Sequence, residues 1–268
     1  MEFIEKIIFQ LLGGNDIESK LLRCQNYTAN SIINWKKQTN LNWLEVIKLL
    51  KGIEIFDATR IRQIINELVS TNQELFNREH LFITSFGSEG KSGGKIAYEF
   101  RHTKLVKESK FINAWELSKL PENSTVIFVE DLIGTGSQST EYILEKLNLL
   151  LNPSSEPYLL TICATQEGIN KVCDETNFKV LNGLLLDETN YQHYSDNSKY
   201  FKAKTKKKLI EINNRLKKEG RKDYDKGLLV TFYYSPPNNS MPILWKNKFP
   251  YKIKNEEKIW QALLPREY

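Results

Sequence analysis

The sequence predicts an α/β fold: a mostly parallel sheet flanked by helices, with helical N-terminal and additional C-terminal extensions. Three observations lead there. Between residues 80 and 187, short apolar runs recur without the alternation of a one-sided sheet. The segments between them are amphipathic or rich in turn residues. One run ends in two acids and a glycine-rich turn that opens a helix. Unbroken apolar runs suit strands buried on both faces, as in a parallel sheet covered by helices.

Taken in chain order, residues 1–79 read as a helical region. Leu41, Leu44, Ile47 and Leu50 recur at helical spacing, with Asn42 and Glu45 as a capping pair in front of them. A second helix follows Asp57, with Ile61, Ile64, Ile65, Leu68 and Val69 on one face. No chemical constellation lies in this region, which reads as a packing or partner-binding appendage. Residues 80–187 form the expected core. LFITSF (81–86), VIFVED (126–131), YLLTICAT (158–165) and FKVLNGLLL (178–186) read as strands. The helix after the acidic pair is expected to bury Ile143, Leu144, Leu147, Leu150 and Leu151 before NPSSEP ends it. Residues 188–268 supply a basic helix around residues 206–218 broken by Gly220, a strand at GLLVTFYY (227–234), and a rigid loop, SPPNNSMPILW.

Composition bounds the rest. A chain of 268 residues suffices for a large domain or a core with additions, and 40% hydrophobic with 26% charged residues is ordinary for a globular protein. No apolar stretch approaches the roughly 20 residues that span a bilayer, so no membrane role is expected. The start, MEFIEK, lacks the basic-then-apolar pattern of a secretory signal. Cys24, Cys163 and Cys173 include no CxxC pair, which argues against a disulfide framework or structural zinc. A cytoplasmic location follows as the expectation. His80, His102 and His193 share no metal or nucleophile spacing.

The net charge of +5 is concentrated in one element. Lys202, Lys204, Lys206, Lys207, Lys208, Arg215, Lys217, Lys218, Arg221 and Lys222 are opposed only by Glu211 and Glu219, so the remainder of the chain is net acidic. Such a helix is either a solvated face or a nucleic-acid surface, with Tyr200, Phe201 and Tyr224 near enough in sequence to stack on bases. Phosphate contacts by Z of these lysines would give a salt slope of about −0.9Z on duplex DNA. Tyr233, Tyr234 and Trp245 likewise read either as core or as a roof over a site.

VIFVEDLIGTGSQS (126–139) carries the chemistry. A strand delivers Glu130 and Asp131 at its carboxyl end, where open α/β sheets bind ligands. Gly134 and Gly136 let backbone amides approach an anion, and Thr135, Ser137 and Ser139 add hydroxyl donors. Adjacent carboxylates suit a vicinal diol. A diol grip beside a phosphate cradle matches ribose 5-phosphate in dimension. The bland alternative is a helix cap with two turn glycines.

This segment resembles the phosphoribosyl-pyrophosphate motif of type I phosphoribosyltransferases: four apolar residues, two acids, then a Thr/Gly-rich loop. The resemblance implies that Glu130 and Asp131 hold the ribose hydroxyls and that Gly134, Thr135, Gly136, Ser137, Gln138 and Ser139 hold the 5-phosphate. It implies a pyrophosphate loop at Ser85, Phe86, Gly87 and Ser88, running to Gly90, and a magnesium ion at the leaving group. The segment departs from the family pattern at Gln138, where threonine or serine is usual, and at Gly134, often a threonine. The ending NNSMPILW is similar to phosphoribosyltransferase-like proteins of bacterial defence systems, including retron effectors. A reverse transcriptase or a winged-helix protein would then be the partner.

Two other readings stay open. SFGSEGKS (85–92) resembles GxxxxGKS with Ser85 for the first glycine, and VIFVED resembles a Walker B strand. That P-loop NTPase reading needs a helix after Ser92, where Gly93 and Gly94 are poor helix formers, and leaves GTGSQS unexplained. A non-catalytic nucleotide-binding sensor or scaffold, docking on a nucleoprotein through the basic helix, is the second. Lys91 and Lys95 read either as pyrophosphate contacts or as solvated charges, and Arg101 as a surface salt bridge.

Overall fold

The four apolar runs of the core become consecutive parallel strands in a computed structural model that describes residues 2–27, 31–88, 90–217, 225–253 and 256–266. The elements, in chain order, are α1 (Glu2–Leu11), α2 (Gly14–Leu21), α3 (Ser31–Thr39), α4 (Trp43–Lys51), β1 (Glu54–Phe56), α5 (Ala58–Thr71) and α6 (Gln73–Phe76). Next come β2 (Leu81–Ser85), α7 (Ser92–Thr103), β3 (Thr125–Ile133), α8 (Ser137–Tyr142), α9 (Asn148–Leu150), β4 (Glu156–Ala164), α10 (Gln166–Glu175) and β5 (Lys179–Leu185). The C-terminal part holds α11 (Ala203–Arg215), β6 (Val230–Phe232), α12 (Pro242–Trp245), β7 (Phe249–Ile253) and β8 (Glu256–Trp260).

The chain divides into two compact units, Ala58–Asp187 and a second one made of Met1–Asp57 with Glu188–Tyr268. The unit that holds the sheet therefore starts at Ala58, where the sequence places the start of the core at residue 80. The cause is packing. Ile61, Ile64, Ile65, Leu68 and Val69 form the buried face of α5, as expected, and α5 packs on β5, β4 and α7. Gly183 of β5 is a glycine because an added Cβ would lie 2.2 Å from the side chain of Ile64.

In the Ala58–Asp187 unit the sheet order is β2-β3-β4-β5, parallel throughout. Phe111 forms a parallel bridge to Ile83 of β2, and Ile112 N donates to Ile83 O at 2.9 Å. Because β3 occupies the other edge of β2, Phe111 adds a rudimentary strand outside it. The order in chain terms is thus 2-1-3-4-5, with the winding direction reversing between β2 and β3. Open α/β sheets bind ligands at that switch point, beyond the carboxyl ends of the strands. Val126 and Phe128 of β3 pack with Leu117, Ile143, Leu147, Leu159, Val172 and Phe178 on one face. Ile127 and Val129, pointing the other way, lie on the α5–α7 face. At the opposite, amino-terminal end of the strands, Glu156 is tied to Arg78 and Lys179 and accepts from Tyr158 Oη at 2.8 Å.

Four expectations are corrected. Leu144 and Leu150 are 48% and 39% exposed, not buried. A π-helical turn at Ile143–Leu147 interrupts the helix there and shifts its phase, so that only Ile143 and Leu147 keep the buried positions. Leu44 is 69% exposed, because Trp43, Val46, Ile47, Leu49 and Leu50 form the inner face of α4; the Asn42–Glu45 capping box is present. GLLVTFYY contributes only Val230–Phe232 as a strand, paired in parallel with β1, while Leu228 makes isolated bridges to Gln192 and Ser240. β5 also departs from the two-face burial expected of it, since it closes one edge of the sheet and is only half-buried.

The discontinuous unit has its own core around Trp35, Leu49, Leu50, Ile53, Trp260, Leu263 and Leu264. Trp35 Nε1 donates to Ile243 O at 3.0 Å, joining segments 208 residues apart. Trp245 packs against this core and its Nε1 donates to Ser240 O at 2.8 Å, and Phe232 stacks on Tyr234. Among the described residues no helix is long and apolar enough to cross a membrane.

Candidate functional site

β3 is nine residues long and carries its acids past the last ladder contact with β2, at Ser85–Val129. There the backbone stops pairing on that side and turns to side chains. Glu130 Oε1 accepts from Ser92 Oγ at 2.7 Å and from Asp131 N at 3.0 Å. Asp131 Oδ1 accepts from Leu132 N at 2.7 Å, and its carbonyl accepts from Thr161 Oγ1 at 3.2 Å. Asp131 is 8% exposed, and Glu130 is half-buried. Removal from water and the Asp131 carboxyl beside it push Glu130 well above the usual carboxylate range.

The loop that follows makes few demands on itself. Gly136 takes φ +76, the left-handed region open to glycine, and starts α8. The amides of Gly134, Thr135, Gly136, Gln138 and Ser139 donate to no described residue in the loop or beyond it. Ser137 N reaches only Thr135 Oγ1, at a long 3.5 Å. A run of unpaired amides after a glycine turn can serve as an anion cradle. The carbonyl side is held from α10 instead. Thr165 Oγ1 donates to Gly134 O at 2.6 Å and accepts from Gly168 N at 3.1 Å. A Cβ on Gly168 would lie 2.2 Å from Gly134 O, and one on Gly136 2.8 Å from Gly168 O. The two backbones touch, and the loop is braced from behind.

Across the switch point, the loop after β2 has Gly87 at φ +87 and Gly90 at φ +80. Lys91 N donates to Ser88 O at 3.2 Å, while the amides of Gly87 and Ser88 donate to no described residue. Glu89 lies outside the described residues. Phe86 frames this loop without facing it: its amide donates to Val129 O at 2.9 Å and its ring packs edge-on to Phe128 and Tyr142. Ser85 ends β2. α7 begins at Ser92, so the helix does form through Gly93 and Gly94, and the objection they raise to the P-loop reading fails. Gly93 is there for space: a Cβ would lie 2.3 Å from Phe86 O and 2.7 Å from Val129 O.

The structure thus brings Glu130, Asp131 and residues 134–139 together with Gly87 and Ser88 at one end of one sheet. Ser92, Thr165 and Gly168 join them and escape a sequence reading. A hydroxyl directly after Gly-Lys at the start of a helix was the available signal for Ser92. For Thr165 and Gly168 the signal was a threonine N-cap with glycine three residues on.

The remaining candidates take other roles. Lys91 and Lys95 are exposed. Arg101 pairs with Glu108 at 3.4 Å and lies over the Phe111 ring, a surface salt bridge as expected. His193 is buried against Tyr200 and Phe201, and burial with Lys206 nearby pulls it down to about 4. Cys163 is buried in β4. On α11, Lys208 pairs with Glu45 at 2.9 Å and Lys206 Nζ donates to Ser195 O at 2.6 Å; just past its end, Lys217 lies 3.5 Å from Asp225. Lys202, Lys204, Lys207 and Arg215 are exposed, with no ion pair among the described residues. Lys218, Gly220, Arg221, Lys222 and Tyr224 lie outside the described residues.

A parallel sheet wound 2-1-3-4-5, with an acidic pair and an amide-lined loop at its switch point, is the frame of a doubly wound α/β ligand-binding protein. The chain belongs to the PRTase-CE family, whose model matches residues 32–266. Among solved structures it is similar to an orotate phosphoribosyltransferase from Aeropyrum pernix, at 12% identity over 48% of this chain and 70% of that one, with a TM-score of 0.34. A hypoxanthine-guanine phosphoribosyltransferase from Bacillus anthracis gives 16% identity over 51% and 81%, with a TM-score of 0.32. An adenine phosphoribosyltransferase from Leishmania tarentolae gives 10% over 47% and 71%, with a TM-score of 0.34. No curated protein matches the chain.

Proposed function

We propose that the chain binds phosphoribosyl pyrophosphate, or a related ribose phosphate, and acts as a pentosyltransferase upon it. The observation that carries this reading is that the amides of Gly134, Thr135, Gly136, Gln138 and Ser139, directly after the carboxyls of Glu130 and Asp131, have no partner among the described residues. The carboxyls would take the ribose hydroxyls and the amides the 5-phosphate, with Gly87 and Ser88 meeting the pyrophosphate. The anomeric C–O bond breaks through an oxocarbenium-like transition state, pyrophosphate leaves with the bonding pair, and the acceptor forms the new bond. Asp131 would take the acceptor's proton.

Magnesium fits as an ion carried in by the pyrophosphate. Among the described residues no group of three or more His, Cys, Asp or Glu could hold a metal, and Glu130 Oε1 already accepts two hydrogen bonds. When bound, the ion would neutralise charge on the departing group.

An effector role in bacterial antiviral defence, beside a reverse transcriptase or winged-helix partner in the cytoplasm, rests on the likeness of NNSMPILW to that sub-family. Nucleic-acid contact through α11 rests on Lys202, Lys204, Lys207 and Arg215, since the other described cations of that segment have partners in the fold.

Incubating the protein with phosphoribosyl pyrophosphate, magnesium and mixed nucleobases or nucleic acid tests the reading. Pyrophosphate release that disappears in Asp131→Asn is expected. Binding without release would make the chain a sensor or scaffold, and no binding at all would remove the site.

A further inference from the structure

Ser92 belongs to none of the ligand contacts proposed above, yet its hydroxyl donates to the Glu130 carboxylate. It is the first residue of α7, and the residue behind it has no room to move. Gly93 is wedged against Phe86 O and Phe86 N of the β2 loop and Val129 O of β3, at Cβ distances of 2.3, 2.8 and 2.7 Å. The start of α7 is thereby pressed onto the ends of both strands that flank the switch point. From that fixed point the Ser92 hydroxyl reaches Glu130 Oε1 at 2.7 Å. Asp131 N occupies the same oxygen at 3.0 Å. A carboxylate oxygen offers two lone pairs, so Oε1 is full and the carboxyl is held from α7 as well as from its own strand.

We propose that Ser92 is a positioning residue for ribose recognition: it orients the Glu130 carboxyl for the sugar diol and ties the ribose grip to the loop that follows β2. This rests on the ribose-phosphate reading of residues 130–139. The hydrogen bond is charge-assisted when Glu130 is ionised and so belongs to the stronger class. Without it, the carboxyl loses its tie to α7 and can rotate away from the diol.

Calorimetric titration of the full chain with ribose 5-phosphate, and separately with inorganic phosphate, tests the proposal. Inorganic phosphate has no diol and reports on the phosphate-binding amides without the ribose grip. Ser92→Ala is expected to weaken ribose 5-phosphate binding about tenfold and to leave phosphate binding unchanged. Ser92→Thr, which keeps the hydroxyl, is expected to bind both as the wild type does. Wild-type affinity of Ser92→Ala for ribose 5-phosphate would overturn the proposal while leaving the site reading intact, and so would an equal loss for both ligands. A wild-type chain that binds ribose 5-phosphate no better than inorganic phosphate would remove the site reading, and Ser92's role with it.

Discussion

Glu130 meets two costs at once: it is withdrawn from water, and it shares its surroundings with the carboxyl of Asp131. Its folded-state pKa is raised above the unfolded value. Stability from the neutral form is therefore fully present at low pH and is lost as pH rises through the folded value. Glu130→Gln keeps an acceptor for Ser92 and Asp131 N, and its amide can donate to the Asp131 carboxyl beside it. That variant is expected to melt above the wild type at pH 8, by roughly 2–4 °C for each kcal/mol relieved. The gap should close toward pH 5, and the variant should bind ribose phosphate more weakly. Thermal melts across that range check it; coincident melting curves at every pH would contradict it. The pair was legible in the sequence because strand, acids and glycines are contiguous, and their order alone states what the strand end delivers. Ser92 was not, because its partner lies 38 residues away and only the switch-point geometry joins them.

At the scale of elements, the phosphate loop owes its shape to a neighbour. Thr165 and Gly168 hold Gly134 O from α10, and the Gly168–Gly134 approach leaves no space for a methyl group. Gly168→Ala must push the loop backbone aside, at an expected cost of about 1–3 kcal/mol. It should weaken inorganic phosphate binding as well, which chemical denaturation and a phosphate titration would measure together. Unchanged stability with unchanged phosphate affinity would show that the loop holds its shape without this brace. Element type was readable wherever a periodic stripe was long: the α5 face matches its five apolar positions, and the α4 cap is formed by Asn42 and Glu45. Phase was not readable. Leu144 and Leu150 fit a regular helix, and only the π-helical turn at Ile143–Leu147 turns them outward. Gly93 and Gly94 misled for a related reason, since poor intrinsic helix propensity is outweighed where the start of a helix must touch two strand ends.

Over the whole molecule, the chain leaves one unit at Asp57, builds the sheet, and returns at Glu188 to complete the first unit. No local pattern announces that return. β1 pairs with β6, and Trp35 with Ile243, across separations that composition and periodicity do not carry. The sheet unit, by contrast, is contiguous, and its strand–helix alternation stands in the sequence as written. The same contiguity puts the acids and the amide loop on one turn of chain at the switch point, and the functional account depends on that convergence. Titrating ribose 5-phosphate into the wild-type protein and into Asp131→Asn tests it most directly. Saturable binding by the wild type, falling at least about tenfold in the variant while inorganic phosphate still binds, is the expected result. Equal affinity of the two proteins for ribose 5-phosphate would contradict the account.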